Sequence, residues 1–183
     1  MPRGKILLAL AFATAYLLNT PVVAADAPSD PPTVEHPSSD EVDQQAVVES
    51  YVKWFFKDSK SYKFEDAKQY VPKVVEAARE AGIDPLLAAV VISCESTWRP
   101  QATGKIGEVG LMQVHGNAAK GYDVTTVEGN LAAGCHWLAS RVQKYGLEAG
   151  MAAYMGQSEE ATKRAAWRVQ AYRAEKKRQG LKD

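Results

Sequence analysis

Apolar residues recur at helical spacing along most of the chain, and the breaks between these stretches carry turn and cap residues. Val47, Val48, Tyr51, Val52, Phe55 and Phe56 predict one amphipathic helix, starting near Ser39 or Asp40 and broken by Asp58 to Lys63. A second is expected from about Glu65 to Ala81, with Tyr70, Val74, Ala77, Ala78 and Ala81 inward and Gly82 as its stop. Pro72 argues that its ordered part begins there. Asp84-Pro85 is an N-cap acid followed by proline at the first helical position, and the apolar run it opens ends at Glu95. Gly104, Gly107 and Gly110 prevent a helix between Pro100 and Val114, where Val109 to Val114 suggests a short extended pairing. A further helix is expected from Thr126, with Leu131, Ala132, Cys135, Leu138 and Val142 on one side and Gly146 as its end. Leu147 to Tyr154 reads as a shorter buried helix. The last, capped by Ser158-Glu159-Glu160-Ala161, carries Ala165, Ala166, Val169 and Tyr172 and frays at Lys176-Lys177-Arg178. The fold class is therefore all-α or nearly so.

The 183 residues suffice for one compact domain with extras. Arg3 and Lys5, the apolar stretch Ile6 to Leu18 and the small residues Val23-Ala24-Ala25 read as a secretory signal over residues 1–25, cut after Ala25 or Ala27. Residues 26–40, with Pro28, Pro31, Pro32 and Pro37 among Ser and Asp, read as an acidic linker, and residues 41–183 as the domain. A periplasmic or secreted protein is expected, with no stable membrane insertion after cleavage. An oxidising compartment would let Cys94 and Cys135 pair, a disulfide stabilising the fold by roughly 4 kcal/mol; two separate buried thiols are the alternative.

Charge narrows the partners. The whole chain is neutral, but residues 26–45 hold six acids and no Lys or Arg; with the two cations of residues 1–25 set aside, 20 Lys and Arg stand against 16 acids from residue 46 onward, a net +4. That suits an anionic polymer such as a cell wall, and falls short of a nucleic-acid footprint. His115 and His136 stand far apart and the cysteines have no zinc spacing, so neither a metal nor another cofactor is expected. The chemistry centres on Glu95, a lone carboxylate ending an apolar helix. Apolar neighbours such as Val91, Ile92 and Met112 would desolvate it and favour the protonated form that a general acid needs.

Glu95-Ser96-Thr97-Trp98, then Gly107-Glu108-Val109-Gly110-Leu111-Met112-Gln113, then Ala152-Ala153-Tyr154-Met155-Gly156 stand in order. Between the second and third lies Asn130-Leu131-Ala132-Ala133-Gly134-Cys135-His136-Trp137-Leu138. Together they resemble the catalytic domain of the soluble lytic murein transglycosylases, over roughly residues 77–154 and less closely the final helix. The resemblance implies a lysozyme-like helical fold and a peptidoglycan lytic transglycosylase. In that family's chemistry Glu95 would be the only acid and base, cleaving between N-acetylmuramic acid and N-acetylglucosamine and closing a 1,6-anhydro ring. No second carboxylate is needed if the substrate's own acetamido group stabilises the developing charge. Gln113, with a donor and an acceptor, and Ser96, Met112 and Tyr154 are the expected substrate-binding residues.

Two departures keep other readings open. The family's Ala-Tyr-Asn-Ala-Gly is here Ala153-Tyr154-Met155-Gly156-Gln157, so the carry-over stops at Tyr154, and the lost Asn is what a non-catalytic wall-binding or assembly protein would show. Glu108 stands where the family often has Ala, a candidate second carboxylate for a hydrolytic muramidase, with Asp123 a weaker one. The expected partner is the peptidoglycan glycan strand. An enzyme of this size can also open the wall for a secretion or conjugation machine, though no residue identifies one.

Overall fold

The computed structural model describes residues 42–156 and 158–182. The expected signal, the linker and Gln157 lie outside them. The described chain is built of helices: α1 (Gln44–Phe55), α2 (Phe64–Ala67), α3 (Val71–Ala81), α4 (Pro85–Glu95), α5 (Val127–Tyr145), α6 (Leu147–Tyr154) and α7 (Glu159–Arg178). Short 3-10 turns cover Lys68–Tyr70 and Gly116–Ala119.

Local chemistry sets the ends of these helices. α1 begins later than Ser39 or Asp40, because Asp43 caps it by accepting the N–H groups of Gln45 and Ala46. The helix expected from Glu65 is three pieces: α2, a 3-10 turn, and α3 with Pro72 in its first turn, where no N–H is needed. Gly82, at φ 72°, ends α3 and lets Ile83 N–H reach back to the Ala78 carbonyl at 3.0 Å. Thr126 caps α5 and Ser158 caps α7 through their hydroxyls. The extended pairing expected at 109–114 is reduced to isolated antiparallel bridges, Thr103 with Val109 and Val109 with Val114.

α4 is the centre. Every residue from Pro85 to Ser93 is buried, which a helix apolar on all sides requires. α1, α3 and α7 pack around it, while α5 packs on α3 and α6, and α6 on α7. The chain leaves α4 through Thr97 and Trp98, both in the left-handed region at φ 53° and 62°. Each such residue costs about 1–3 kcal/mol. Trp98 offsets this by complete burial; its indole N–H donates to Ser93 Oγ at 2.8 Å, and its carbonyl accepts from Tyr62 OH at 2.9 Å. The sharp exit leaves Glu95 at the last helical position, facing the loop that follows.

The expected disulfide is not formed: Cys94 and Cys135 are both free thiols. They sit in different surroundings. Cys135 is fully buried on α5, its thiol 3.7 Å from Met112 Sδ and pushed up to about 12 by desolvation. Cys94 is half-buried on α4, its thiol raised by burial and drawn the other way by the Arg168 guanidinium. Their helices face different neighbours, so shared buried character did not bring the sulfurs together.

Candidate active site

The loop from Pro100 to Val114 folds against α5 and forms one wall of a cleft of about 590 Å³. Asn130 on α5, 1% exposed, holds that wall. Its Oδ1 accepts Met112 N–H at 2.9 Å and its Nδ2 donates to the Val109 carbonyl at 2.8 Å. Gly110 (φ 76°) runs so close that a Cβ there would lie 2.4 Å from Asn130 Nδ2. Gly134 admits Met112 in the same way, since a Cβ would sit 2.5 Å from its sulfur.

Glu95, Met112, Gln113 and Tyr154 all line this cleft. Glu95 enters from the end of α4, its side chain 20% exposed. Gln113, at φ 48°, turns its amide inward, where Nε2 donates to the Ala102 and Gly110 carbonyls at 3.0 and 2.9 Å. Two amide hydrogens are thereby committed to the loop, and its Oε1 acceptor is what the side chain has to offer a sugar. Tyr154 comes from the last turn of α6, and its hydroxyl donates to the Met112 carbonyl at 2.8 Å. Burial first, and the Glu95 charge second, raise that hydroxyl well above the usual range. Met112 is 1% exposed, so it is a packed wall residue with only its edge at the cleft. Ser96 stands apart: it is buried, its hydroxyl donates to the Ile92 carbonyl at 3.3 Å, and it does not line the cleft.

The charges around Glu95 come mostly from a helix that contributed no site residue to the sequence reading. Arg168 on α7, 7% exposed, donates from Nη2 to Glu95 Oε1 at 2.9 Å. Arg164, one turn earlier, also lines the cleft. Desolvation raises Glu95 above the ordinary glutamate range; Arg168 and Arg164 oppose that shift and Glu108 adds to it. Net, the proton is held more tightly than in water. A signal for Arg168 did exist, since it falls among Ala165, Val169 and Tyr172 on the buried face of α7. A cation on an apolar stripe asks for a buried partner. The stripe was instead read through Ala166, which is exposed.

Glu108 and His115 also line the cleft. Its own N–H and that of Ile106 hold the Glu108 carboxyl below the usual range, the Ile106 bond to Oε2 being 2.9 Å. Asp123 does not reach the cleft; it accepts Thr125 N–H at 3.1 Å in the loop before α5. His136 stacks on Tyr122 with ring centroids 6.1 Å apart. Among the described residues no three His, Cys, Asp or Glu side chains gather as a metal ion would require.

A helical globule with one desolvated glutamate at the end of its central helix, facing a loop-walled cleft, is a lysozyme-like arrangement. The family described as Transglycosylase SLT domain matches residues 73–178, and the chain belongs to it. The match extends the stretch read from sequence, 77–154, back to residue 73 and through the whole of α7. A protein named Transglycosylase from Enterobacteria phage PRD1 is 30% identical over 99 residues, covering 52% of this chain and 37% of the phage protein. This chain thus aligns with well under half of that relative's length.

Proposed function

We propose that the protein is an exported peptidoglycan lytic transglycosylase in which Glu95 acts as acid and then as base. The Glu95 carboxylic acid protonates the oxygen bridging N-acetylmuramic acid to N-acetylglucosamine, and the bond from that oxygen to C1 breaks. The substrate's acetamido group stabilises the positive charge at C1. The Glu95 carboxylate then takes the proton of the 6-hydroxyl, and O6 bonds to C1, closing the 1,6-anhydro ring and returning the side chain to its acid form. Gln113 and Tyr154 shape the sugar site, and Met112 packs beneath it. The carrying observation is the pairing of a desolvated Glu95, its proton affinity raised, with a cleft of about 590 Å³. The exported location rests on the basic, apolar and small-residue order of residues 1–25.

Glu108 favours a second reading. An ionised carboxylate in the same cleft as a protonated one is the arrangement a muramidase uses to cleave with water. Mass spectrometry of muropeptides released from purified sacculi separates the two. Anhydro ends support the lyase and reducing ends the hydrolase, while a wild-type protein that binds sacculi and releases nothing overturns both in favour of a wall-binding role. Glu95→Gln must abolish release under either enzymatic reading.

A further inference from the structure

The Glu95–Arg168 pair is a costly element for a core. Two ions withdrawn from water recover their desolvation only with good geometry and saturated hydrogen bonds, and an apolar pair of like volume is often as stable. Arg168 is not saturated. Nη2 donates to Glu95 Oε1 at 2.9 Å, Nη1 reaches the Arg164 carbonyl only at 3.5 Å, and Nε finds no acceptor among the described residues. Its position lies on the buried stripe of α7 with Ala165, Val169 and Tyr172, where an apolar side chain would pack without that cost. Stability alone does not account for a cation there. Its one strong bond goes to the residue proposed to carry the chemistry.

We propose that Arg168 is a positioning residue for Glu95, pinning Oε1 so that Oε2 is left for the substrate and balancing the carboxyl between its acid and base duties. This rests on the reading of Glu95 as the acid and base. A carboxyl in an apolar pocket with no cation beside it gives up its proton too reluctantly to protonate the glycosidic oxygen. The same carboxyl beside a hydrated cation would rest ionised and could not start the reaction. A guanidinium that is itself buried and incompletely hydrogen-bonded gives the middle course. The charged and titratable groups facing Glu95 are Arg168 and Arg164 from α7, Glu108 from the loop, Tyr154 from α6 and Cys94 from α4 itself. Beyond these, His115 lines the same cleft beside Glu108, Tyr51 of α1 meets Ser93 and Cys94 with Glu175 of α7 acting on that tyrosine, and Cys135 of α5 meets Tyr154. Arg168 heads the groups that draw Glu95 toward its ionised form.

The test is the pH dependence of kcat/KM on purified glycan strands for wild type, Arg168→Met, Arg168→Lys and Glu95→Gln. In Arg168→Met the rate falls roughly 100-fold, as misplacing a reacting group does, and the alkaline limb moves to higher pH because the protonated form of Glu95 persists further. Arg168→Lys returns the limb toward the wild-type position without restoring the full rate, since an ammonium supplies the charge but not the planar fork. A slower Arg168→Met enzyme with an unmoved limb overturns the proposal and leaves Arg168 a packing residue. Should Arg168→Met fail to fold, Arg168→Gln keeps a donor without the charge. A ¹³C NMR titration of its Glu95 carboxyl then moves upward from wild type, and an unmoved titration overturns the proposal. Glu95→Gln keeps the two claims apart. Full activity in that variant removes the acid–base reading and this inference with it, whereas an inactive Glu95→Gln beside an unmoved limb rejects only the role given to Arg168.

Discussion

The two ends of α4 carry the same functional group and receive it differently. At the start, Asp84 accepts Leu86 N–H at 2.8 Å through Oδ1 and the Tyr172 hydroxyl at 2.6 Å through Oδ2. At the finish, Glu95 faces Arg168, one turn before Tyr172 on α7. A carboxylate at a helix N-terminus meets free N–H groups and a favourable dipole; at the C-terminus it meets free carbonyls and an unfavourable one. So Asp84 is served by neutral donors, and Glu95, desolvated as well, needs a cation. One pair of helices thus holds a structural clamp at one end and, at the other, the carboxyl proposed to carry the chemistry. What separates them is which end of the dipole the acid occupies and whether a cleft opens beside it.

The widest gap between the two ends is in turnover. Glu95→Gln loses roughly 100- to 10,000-fold in muropeptide release, the usual worth of a general acid, while Asp84→Asn keeps its rate within about 3-fold, since a distant cap adjustment leaves the cleft geometry in place. A comparable fall in Asp84→Asn would erase the distinction. In wild type, kcat/KM is expected to decline as pH rises through the elevated Glu95 value, because the protonated carboxyl is the proposed acid.

Stability sharpens the contrast next. Arg168→Met is destabilised by roughly 3–5 kcal/mol at a pH where Glu95 is ionised in wild type, the cost of leaving its charge unpaired or of taking up a proton instead. Glu95 binds its proton more tightly folded than unfolded, so its contribution to stability is lost as pH rises through the folded value and recovered as pH falls. The deficit therefore narrows in acid, which urea unfolding at several pH values reads directly. Asn130→Ala strands Met112 N–H and leaves the Val109 carbonyl only its bond from Val114 N–H, costing about 3 kcal/mol. It also loosens the loop wall, and a raised KM for glycan strands reports that second effect. Asp84→Ala is the mildest, about 2 kcal/mol for the lost cap and the lost tyrosine bond, with a lowered Tm and turnover intact.

Much of this molecule is legible one residue at a time. The central helix from Asp84-Pro85 to Glu95, the Gly82 stop and the Thr126 and Ser158 caps follow from chemistry within a few positions of each residue. The gathering of Glu95, Met112, Gln113 and Tyr154 was legible through motif order, which held although the first and last stand 59 positions apart. Ser96 was not, because its neighbour's catalytic promise says nothing of its own direction. The left-handed exit at Thr97 and Trp98 turns the chain while Ser96 stays bonded to Ile92.

The amino-acid order by itself determined an all-helical chain, the limits of its main helices and the motif residues that face a shared cleft, since helix signals act over one turn and the motifs travel as units. Tertiary packing alone decided that Arg168 meets Glu95 across 73 positions, that Asn130 holds the loop, and that Cys94 and Cys135 keep separate neighbours. Those outcomes depend on the rotation and crossing of α4, α5 and α7. Such angles are set by the summed packing of whole helix faces, which no short stretch of residues encodes.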